Sequence, residues 1–313
     1  MGLRALSDWI ILQSSLIKLF ADDAKIYQTL DDSTLQNQIQ TDLSALEAWS
    51  DKWLLKFHPE KCKRMFISRN RPDSRTVPLS LTKTDLDGNQ LKVQLENVVE
   101  EKDLGVTFDN QLKFDKHIQN TTKKANRTMG IIRRTFVNLN KENFLPLYKA
   151  LIRSTVEYGQ ASWSPYLQKD IKKIEAVQRH ATKAINNFKN IPYPERLRRL
   201  NLPTLKFRRL RGDMIETYKM MTNQYDEDVK LNLQRSNRIS RGHNLKLYKG
   251  PTPNTDLRKN FFSVRIINIW NSLPQEVVSA PSINCFKNRL DNHWKHQPVK
   301  YDPEESVQLQ MTG

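Results

Sequence analysis

The chain has 313 residues, 38% of them hydrophobic, with six tryptophans and a formal net charge of +17. This length and composition indicate two or three folded units and exclude a disordered chain. The two cysteines, Cys62 and Cys285, stand too far apart for a disulfide framework or for a zinc site built from near neighbours. No stretch reaches the roughly 18 uninterrupted apolar residues of a membrane span. No signal peptide stands out either, so we expect an intracellular protein without a membrane partner, its localisation otherwise unknown.

The positive charge is concentrated in the middle third of the chain. Residues 1–115 contain 15 Lys and Arg against 18 Asp and Glu, residues 116–220 contain 23 against 7, and the remainder contains 13 against 9. A charge concentrated in this way predicts a surface for a polyanion, most simply a nucleic-acid backbone. The alternative is a helical bundle whose basic face is merely solvated.

Near the start of the chain, two short apolar runs flank a pair of adjacent aspartates, Asp22 and Asp23. Runs this short and this rich in Ile, Leu, Phe and Tyr predict two strands joined by a tight turn. Two neighbouring carboxylates repel each other unless a cation binds them, and hard oxygen ligands suit Mg²⁺. Such an ion can stabilise the charge of phosphoryl transfer. The simpler interpretation is a solvated turn or a helix N-cap.

The residues around this pair resemble a known motif. Phe20-Ala21-Asp22-Asp23 is similar to the (Tyr/Phe)-Ala-Asp-Asp box of reverse transcriptases, and residues 19–27 resemble that box in jockey-like non-LTR retrotransposons. The resemblance implies an RNA-directed DNA polymerase, which is a nucleotidyltransferase. In such an enzyme Asp22 and Asp23 would be catalytic and would bind Mg²⁺.

Apolar residues recur at helical spacing over 35–53 and predict an amphipathic helix, with Trp49 and Trp53 in the core against a sheet. Residues 61–68 then predict a returning strand. The resemblance implies that Lys61 lies near the leaving pyrophosphate, where a lysine can donate a proton or offset phosphate charge. The alternative is an ordinary surface lysine at the start of a strand.

Residues 78–99 predict a hairpin that turns at 87–89. The segment that follows carries Leu104, Gly105 and Val106, which resemble the strand that closes the polymerase palm and helps to hold the primer end. A glycine between apolar neighbours fits a place where another backbone approaches closely, or else a bulge without a partner.

From residue 117 onward, apolar residues at helical spacing predict three packed helices with basic outward faces. Their seams consist of Ile118, Thr122, Ala125, Met129, Ile132 and Phe136, then Phe144, Leu147, Tyr148, Leu151, Ile152 and Thr155, then Ile171, Ile174, Val177, Ala181, Ile185 and Phe188. A basic bundle can follow an RNA or RNA–DNA duplex through phosphate contacts without reading bases. The expected nucleic-acid-binding residues are Lys123, Lys124, Arg127, Arg133, Arg134, Lys172, Lys173, Arg179 and Lys183.

We therefore expect the α+β fold class, organised in four parts. Residues 1–115 would form the C-terminal part of a polymerase palm, with a hairpin, a helix and strands, and residues 116–190 a thumb-like basic three-helix bundle. Residues 191–296 would form a helical C-terminal extension, and residues 297–313 a disordered tail.

The resemblance covers most of the chain but only the C-terminal part of the parent enzyme. A two-metal polymerase needs carboxylates from more than one strand. Asp8, the only acidic residue before the box, has no strand context. We expect a truncated reverse transcriptase that lacks the upstream catalytic aspartate and the fingers and is inactive alone. Its partners would be RNA or an RNA–DNA duplex and the missing N-terminal part of the polymerase.

Two alternatives to this function stay open. One is a non-catalytic helical module that binds either nucleic acid or other proteins. Measured affinity for nucleic acid discriminates here, because a protein-interaction module does not require it. The other is a pseudogene fragment without a selected role.

Overall fold

The computed structural model of the chain describes residues 15–20, 23–29, 34–68, 78–85, 87–226, 231, 233–237 and 242–309. The backbone divides into two compact units. The first comprises Met1–Glu101 with Asp109–Gln111, and the second comprises Lys102–Phe108 with Leu112–Gly313. Helices are combined with small two-stranded sheets, which confirms the predicted α+β class.

The first unit contains a hairpin, one long helix and short strand pairs. Strands β1 (Leu16–Phe20) and β2 (Asp23–Tyr27) pair antiparallel, and helix α1 (Thr34–Trp53) follows. Strand β3 (Lys63–Met65) pairs in parallel with β6 (Glu96–Val98), while β4 (Ser80–Thr84) pairs antiparallel with β5 (Gln90–Gln94). The predicted first hairpin, the helix and the hairpin that turns at 87–89 are thereby confirmed.

Helix α1 packs on β4 and also covers its free edge. The side-chain amide of Gln40 donates to the Ser80 carbonyl at 3.0 Å, and the Ser80 amide donates to the Gln40 side-chain oxygen at 2.9 Å. These two hydrogen bonds satisfy backbone groups at the edge of β4 that a neighbouring strand would otherwise pair with. Trp53, predicted to lie in the core, is instead 44% exposed, because α1 extends beyond its last buried residue, Ser50.

The second unit begins within a hairpin and continues as helices. Strands β7 (Glu100–Asp103) and β8 (Val106–Asp109) form the hairpin in which the division between the units falls. The helices are α2 (Asp115–Thr135), α3 (Lys141–Leu147), a π-helical turn (Tyr148–Arg153), α4 (Ser154–Glu157), α5 (Gln160–Trp163), α6 (Gln168–Thr182), α7 (Tyr193–Leu200), α8 (Leu205–Met221), α9 (Asp256–Lys259), α10 (Phe262–Asn271), α11 (Gln275–Val278) and α12 (Ile283–His293). None of the described helices is both long and apolar enough to span a bilayer.

The three predicted basic helices form and share one core. Their buried residues include Ile118, Ala125, Met129 and Ile132 of α2, Phe144, Tyr148, Ile152 and Val156 of the second helical segment, and Ile174, Val177 and Ala181 of α6. The second segment passes through a π-helical turn just after Pro146, which has no amide hydrogen to donate. Phe136, predicted on the α2 seam, lies beyond the end of that helix and is 37% exposed.

A chain of buried hydrogen bonds fixes α6 against its neighbours. The Tyr148 hydroxyl donates to the Gln178 side-chain oxygen at 2.6 Å, and the Gln178 amide donates to the Tyr193 hydroxyl at 3.1 Å. Tyr193 in turn donates to the Glu175 carboxylate at 2.6 Å. Burial raises the pKa of Glu175, while the hydrogen bond from Tyr193 opposes that rise. These polar groups satisfy one another and thereby set the register of three helical segments.

The C-terminal residues pack on α8 and on the turn before it. Val299 is fully buried, and its carbonyl accepts from the Thr204 hydroxyl at 2.7 Å. The Lys206 amine donates to the carbonyls of Pro303 and Glu305 at 3.1 and 2.6 Å. The expectation of a disordered tail is therefore wrong for residues 297–309, because the side chains of Thr204 and Lys206 hold their backbone carbonyls in place.

Candidate nucleic-acid interface

The acidic pair predicted to bind Mg²⁺ lies partly outside the described residues. Asp22 is not among them, so its role stays a prediction. Asp23 begins β2 opposite Phe20, and its side chain is exposed. Within the described part of the chain, no three His, Cys, Asp or Glu side chains lie close enough to hold a metal ion. Because Asp22 lies outside these residues, the Mg²⁺ site that the resemblance implies at Asp22 and Asp23 stays a prediction.

Lys61 ends a tight turn and does not belong to a strand. A 3₁₀ turn spans Pro59–Lys61, and the Cys62 amide donates to the Pro59 carbonyl at 3.1 Å. Proline favours the first position of such a turn. The strand therefore begins later than the predicted 61–68 and comprises only the three residues of β3, Lys63–Met65. The Lys61 side chain is exposed. Its predicted role near a phosphate stays a prediction.

Leu104 and Gly105 form the tip of the β7–β8 hairpin. Their φ angles are +43° and +86°, and two successive positive φ angles are typical of a type I′ turn, whose twist matches that of the flanking strands. Val106 begins β8 and is buried. The expectation of a continuous Leu-Gly-Val strand is therefore wrong: only the valine is in a strand, and the glycine marks a turn rather than a bulge.

Tyr158 and Gly159 support this tip from the helical side. The Tyr158 hydroxyl donates to the Leu104 carbonyl at 2.9 Å. A Cβ atom on Gly105 would lie 3.0 Å from the Tyr158 ring, and one on Gly159 would lie 3.0 Å from a Val106 methyl group. Since both glycines also have positive φ angles, neither position accepts a larger side chain without strain.

The second strand of the hairpin is held by the first turn of α2. The Thr107 amide donates to His117 Nδ1 at 3.1 Å, and the His117 ring lies 4.8 Å from the Trp163 ring, centroid to centroid. The Trp163 indole donates to the Tyr158 carbonyl at 2.7 Å. We call the connected group of His117, Tyr158, Gly159 and Trp163 the hairpin clamp.

Sequence reasoning did not find the hairpin clamp. The sequence alone gives Tyr158 no structural partner. The available signal was the pair Tyr158-Gly159 followed closely by Trp163, which is typical of a turn anchored by an aromatic residue. Its partner, however, lies 54 positions earlier at Leu104, and no local pattern specifies a contact at that separation.

One face of α2 carries a row of three cations, Lys123, Arg127 and Arg134, which we call the basic stripe, and Lys124 lies beside it. Lys123, Arg127 and Arg134 follow at spacings of four and seven, so they share one helix face over about 16 Å of helix length. All four side chains are exposed, and none forms an ion pair within the described part of the chain. Asp115 is the one acidic residue of α2. This face therefore has an uncompensated positive charge.

The other predicted cations are also exposed, but they do not extend the basic stripe. Lys124 and Arg133 each lie about 100° around the helix axis from a member of the stripe, Lys123 and Arg134 respectively. On α6, Lys172 pairs with Glu304 at 3.7 Å, and the Arg179 guanidinium lies 5.1 Å from the centroid of the Tyr193 ring. Burial raises the pKa of Asp170, and Lys173 lies near enough to oppose that rise. The cations of α6 are thus partly compensated within the protein, which the sequence pattern does not reveal.

We expect the hairpin clamp to weaken in acid. His117 accepts a hydrogen bond through Nδ1, and Thr121 and Trp163, which also contact its ring, are uncharged. Burial lowers its pKa below the usual 6.5. As pH falls below about 6.5, the unfolded chain binds a proton that the folded His117 resists, so the free energy of unfolding decreases until pH reaches the folded pKa. Each unit of pKa difference corresponds to about 1.4 kcal/mol.

His117→Gln should therefore reduce the loss of stability between about pH 7 and pH 5, as measured by urea unfolding at a series of pH values. Burial also lowers the pKa of His243 and His293, which remain in the variant. The pH dependence should consequently shrink without disappearing. An identical pH profile for the variant and the wild type would show that His117 is not coupled to folding.

Comparison with known proteins agrees with the motif around Asp22. The chain is 26% identical over 182 residues to the probable RNA-directed DNA polymerase from transposon BS of Drosophila melanogaster. This match covers 56% of the chain and 19% of the fly protein, so the chain spans about a fifth of that relative. No protein-family model matches the chain, and no solved structure matches it significantly. The chain is thus related in sequence to part of a transposon RNA-directed DNA polymerase, which confirms the resemblance found in its motifs.

Proposed function

We propose that this chain is a nucleic-acid-binding part of a non-LTR retrotransposon reverse transcriptase, and that it binds an RNA or RNA–DNA duplex through the basic stripe of α2. The observation that carries the proposal is the uncompensated charge of that stripe, whose three cations have no acidic partner among the described side chains. The similarity to a transposon polymerase supports nucleic acid as the polyanion.

The geometry of α2 suits contact with phosphates more than contact with bases. The stripe is about 16 Å long, and each strand of a duplex presents a phosphate about every 3.4 Å along the axis. Several phosphates are therefore within reach at once. Lysine and arginine side chains on a convex helix face bind such a row by charge, so the binding depends on salt and hardly on base sequence.

The hairpin tip belongs to the same proposed interface. The tip is connected to α2 through the hydrogen bond between Thr107 and His117, within the second unit. Leu104 is 40% exposed there and can contact a ligand. In this proposal the Leu104–Gly105 tip contacts the end of a bound strand, which is the role that the resemblance implies for this segment, while the buried Val106 supports the tip.

Removing charge from the basic stripe should weaken binding. Changing Lys123, Arg127 and Arg134 together to Gln should lower the affinity of the chain for an RNA–DNA hybrid at least about tenfold at low salt. The slope of log K against log salt should fall by about one for each lost phosphate contact. Fluorescence anisotropy over a series of salt concentrations measures both quantities.

Arg133 provides a matched control on the same helix. Arg133→Gln and Arg134→Gln remove the same charge from neighbouring positions, but only the second removes it from the basic stripe. The Arg134 variant should change the salt slope, and the Arg133 variant should leave it nearly unchanged. Equal effects of the two variants, or full affinity in the triple variant, would contradict the proposed interface. A protein-interaction module would not bind the hybrid at all.

We further propose that the chain does not extend a primer alone. Two-ion chemistry needs carboxylates from more than one strand, whereas the acidic box supplies one pair of neighbouring carboxylates, Asp22 and Asp23. For activity, a separate polymerase segment would have to supply the further carboxylate. Mg²⁺ bound at Asp22 and Asp23 would then stabilise the charge on the reacting phosphates, with Lys61 near the leaving pyrophosphate.

A primer-extension assay with Mg²⁺ and a homopolymer template tests this second proposal. No extended product is expected from the wild-type chain. Extension that is lost in Asp22→Asn but retained in Asp8→Asn would show that the chain assembles a working metal site.

A further inference from the structure

Leu104 occupies a backbone conformation that leucine rarely adopts. Its φ angle of +43° is in the left-handed region, where Asn and Gly fit most easily at the first central position of a type I′ turn. The side chain is 40% exposed, so burial does little to offset this strain. Other contacts must therefore hold the tip in place, and strained backbone that is held in this way often marks a functional site.

Tyr158 lies outside the hairpin and donates a hydrogen bond to its tip. Its hydroxyl donates to the carbonyl of the strained residue itself, at 2.9 Å from Leu104 O. The tyrosine is in turn anchored by its own backbone, because its carbonyl accepts from the Trp163 indole. The ring is nevertheless 57% exposed, so core packing alone does not account for it.

We infer that Tyr158 is a positioning residue for the end of a bound strand. Its hydroxyl keeps the Leu104–Gly105 tip in the turn conformation, and this fixes where the tip meets a duplex that has a free strand end. The inference rests on the proposed function, in which the basic stripe binds the duplex and the hairpin tip contacts its end.

Loss of the hydroxyl should act on the tip alone. Without that hydrogen bond, Leu104 can relax toward negative φ, and Gly105, with no Cβ, allows the turn to change. The rest of the hairpin stays attached through Thr107 and His117, and the basic stripe is untouched. Contact with a strand end should therefore weaken while contact with the duplex backbone persists.

Two RNA–DNA hybrids of equal length separate these effects. One has a recessed DNA 3′ end, and the other is closed by loops at both ends. The full chain should bind the recessed hybrid more tightly than the closed one. Tyr158→Phe should reduce this preference about fivefold, which corresponds to the loss of one hydrogen bond of about 1 kcal/mol. The affinity of this variant for the closed hybrid should stay within about twofold of the wild-type affinity. Tyr248→Phe is the control, since Tyr248 is 50% exposed and its hydroxyl has no hydrogen-bond partner in the described structure.

A second substitution tests whether conformation is the cause. Leu104→Asn places a residue that tolerates positive φ at the tip, so the double variant Leu104→Asn with Tyr158→Phe should regain most of the end preference. The single variant Leu104→Asn is the reference, because Leu104 itself is proposed to contact the strand end. If this single variant keeps the end preference and the double variant loses it, the hydroxyl acts on the nucleic acid directly and the positioning role is overturned.

The remaining outcomes separate this inference from the proposed function. If the wild type binds neither hybrid, the proposed function fails and the inference fails with it. If both hybrids bind but Tyr158→Phe leaves their ratio unchanged, or weakens both equally, only the positioning role is overturned. If the wild type binds both hybrids with equal affinity, the positioning role is overturned as well.

Discussion

The burial of one face of α2 is the constraint on which the candidate interface depends. Ile118, Ala125 and Ile132 are almost fully buried on that face, and a large apolar side chain contributes about 1.5–3 kcal/mol when it is buried. Repulsion between exposed like charges one helical turn apart costs only about 0.2–0.5 kcal/mol. The apolar seam therefore determines the rotation of the helix, and the basic stripe must face the solvent. The same rotation directs His117 of the first turn toward the hairpin.

The sequence predicts those features that depend on local periodicity. The apolar seam of α2, the exposed cations and helix α1 follow from spacing alone, and the structure confirms them. The hairpin tip could not be predicted, because Leu-Gly is not a preferred turn pair and its support comes from Tyr158, which is distant in sequence. The docked residues 297–309 were missed for a similar reason. They are held through backbone carbonyls, for which amino-acid composition provides no signal.

The candidate site, too, could be predicted from the sequence only in part. Charge counting located the basic region, but it could not distinguish the uncompensated stripe of α2 from the cations of α6, because the partners Glu304 and Tyr193 are far away in sequence. The acidic box carries the resemblance to reverse transcriptases, and the match to a transposon polymerase agrees with it. A relative of which the chain spans about a fifth does not transfer its whole activity. The proposed binding through α2 and its attached hairpin rests instead on the exposed cations of the basic stripe.

Hydroxyl-radical footprinting of the full chain, with and without a recessed RNA–DNA hybrid, tests the central claim most directly. Ile131, one turn along the helix from Arg127, is 50% exposed, and Leu104 and Tyr158 are exposed at the hairpin. These three side chains should become protected when the hybrid binds. Leu54 and Val99, which are 82% and 68% exposed, should remain reactive. Protection of Leu54 and Val99 without protection of the other three would place the nucleic acid elsewhere and contradict this account.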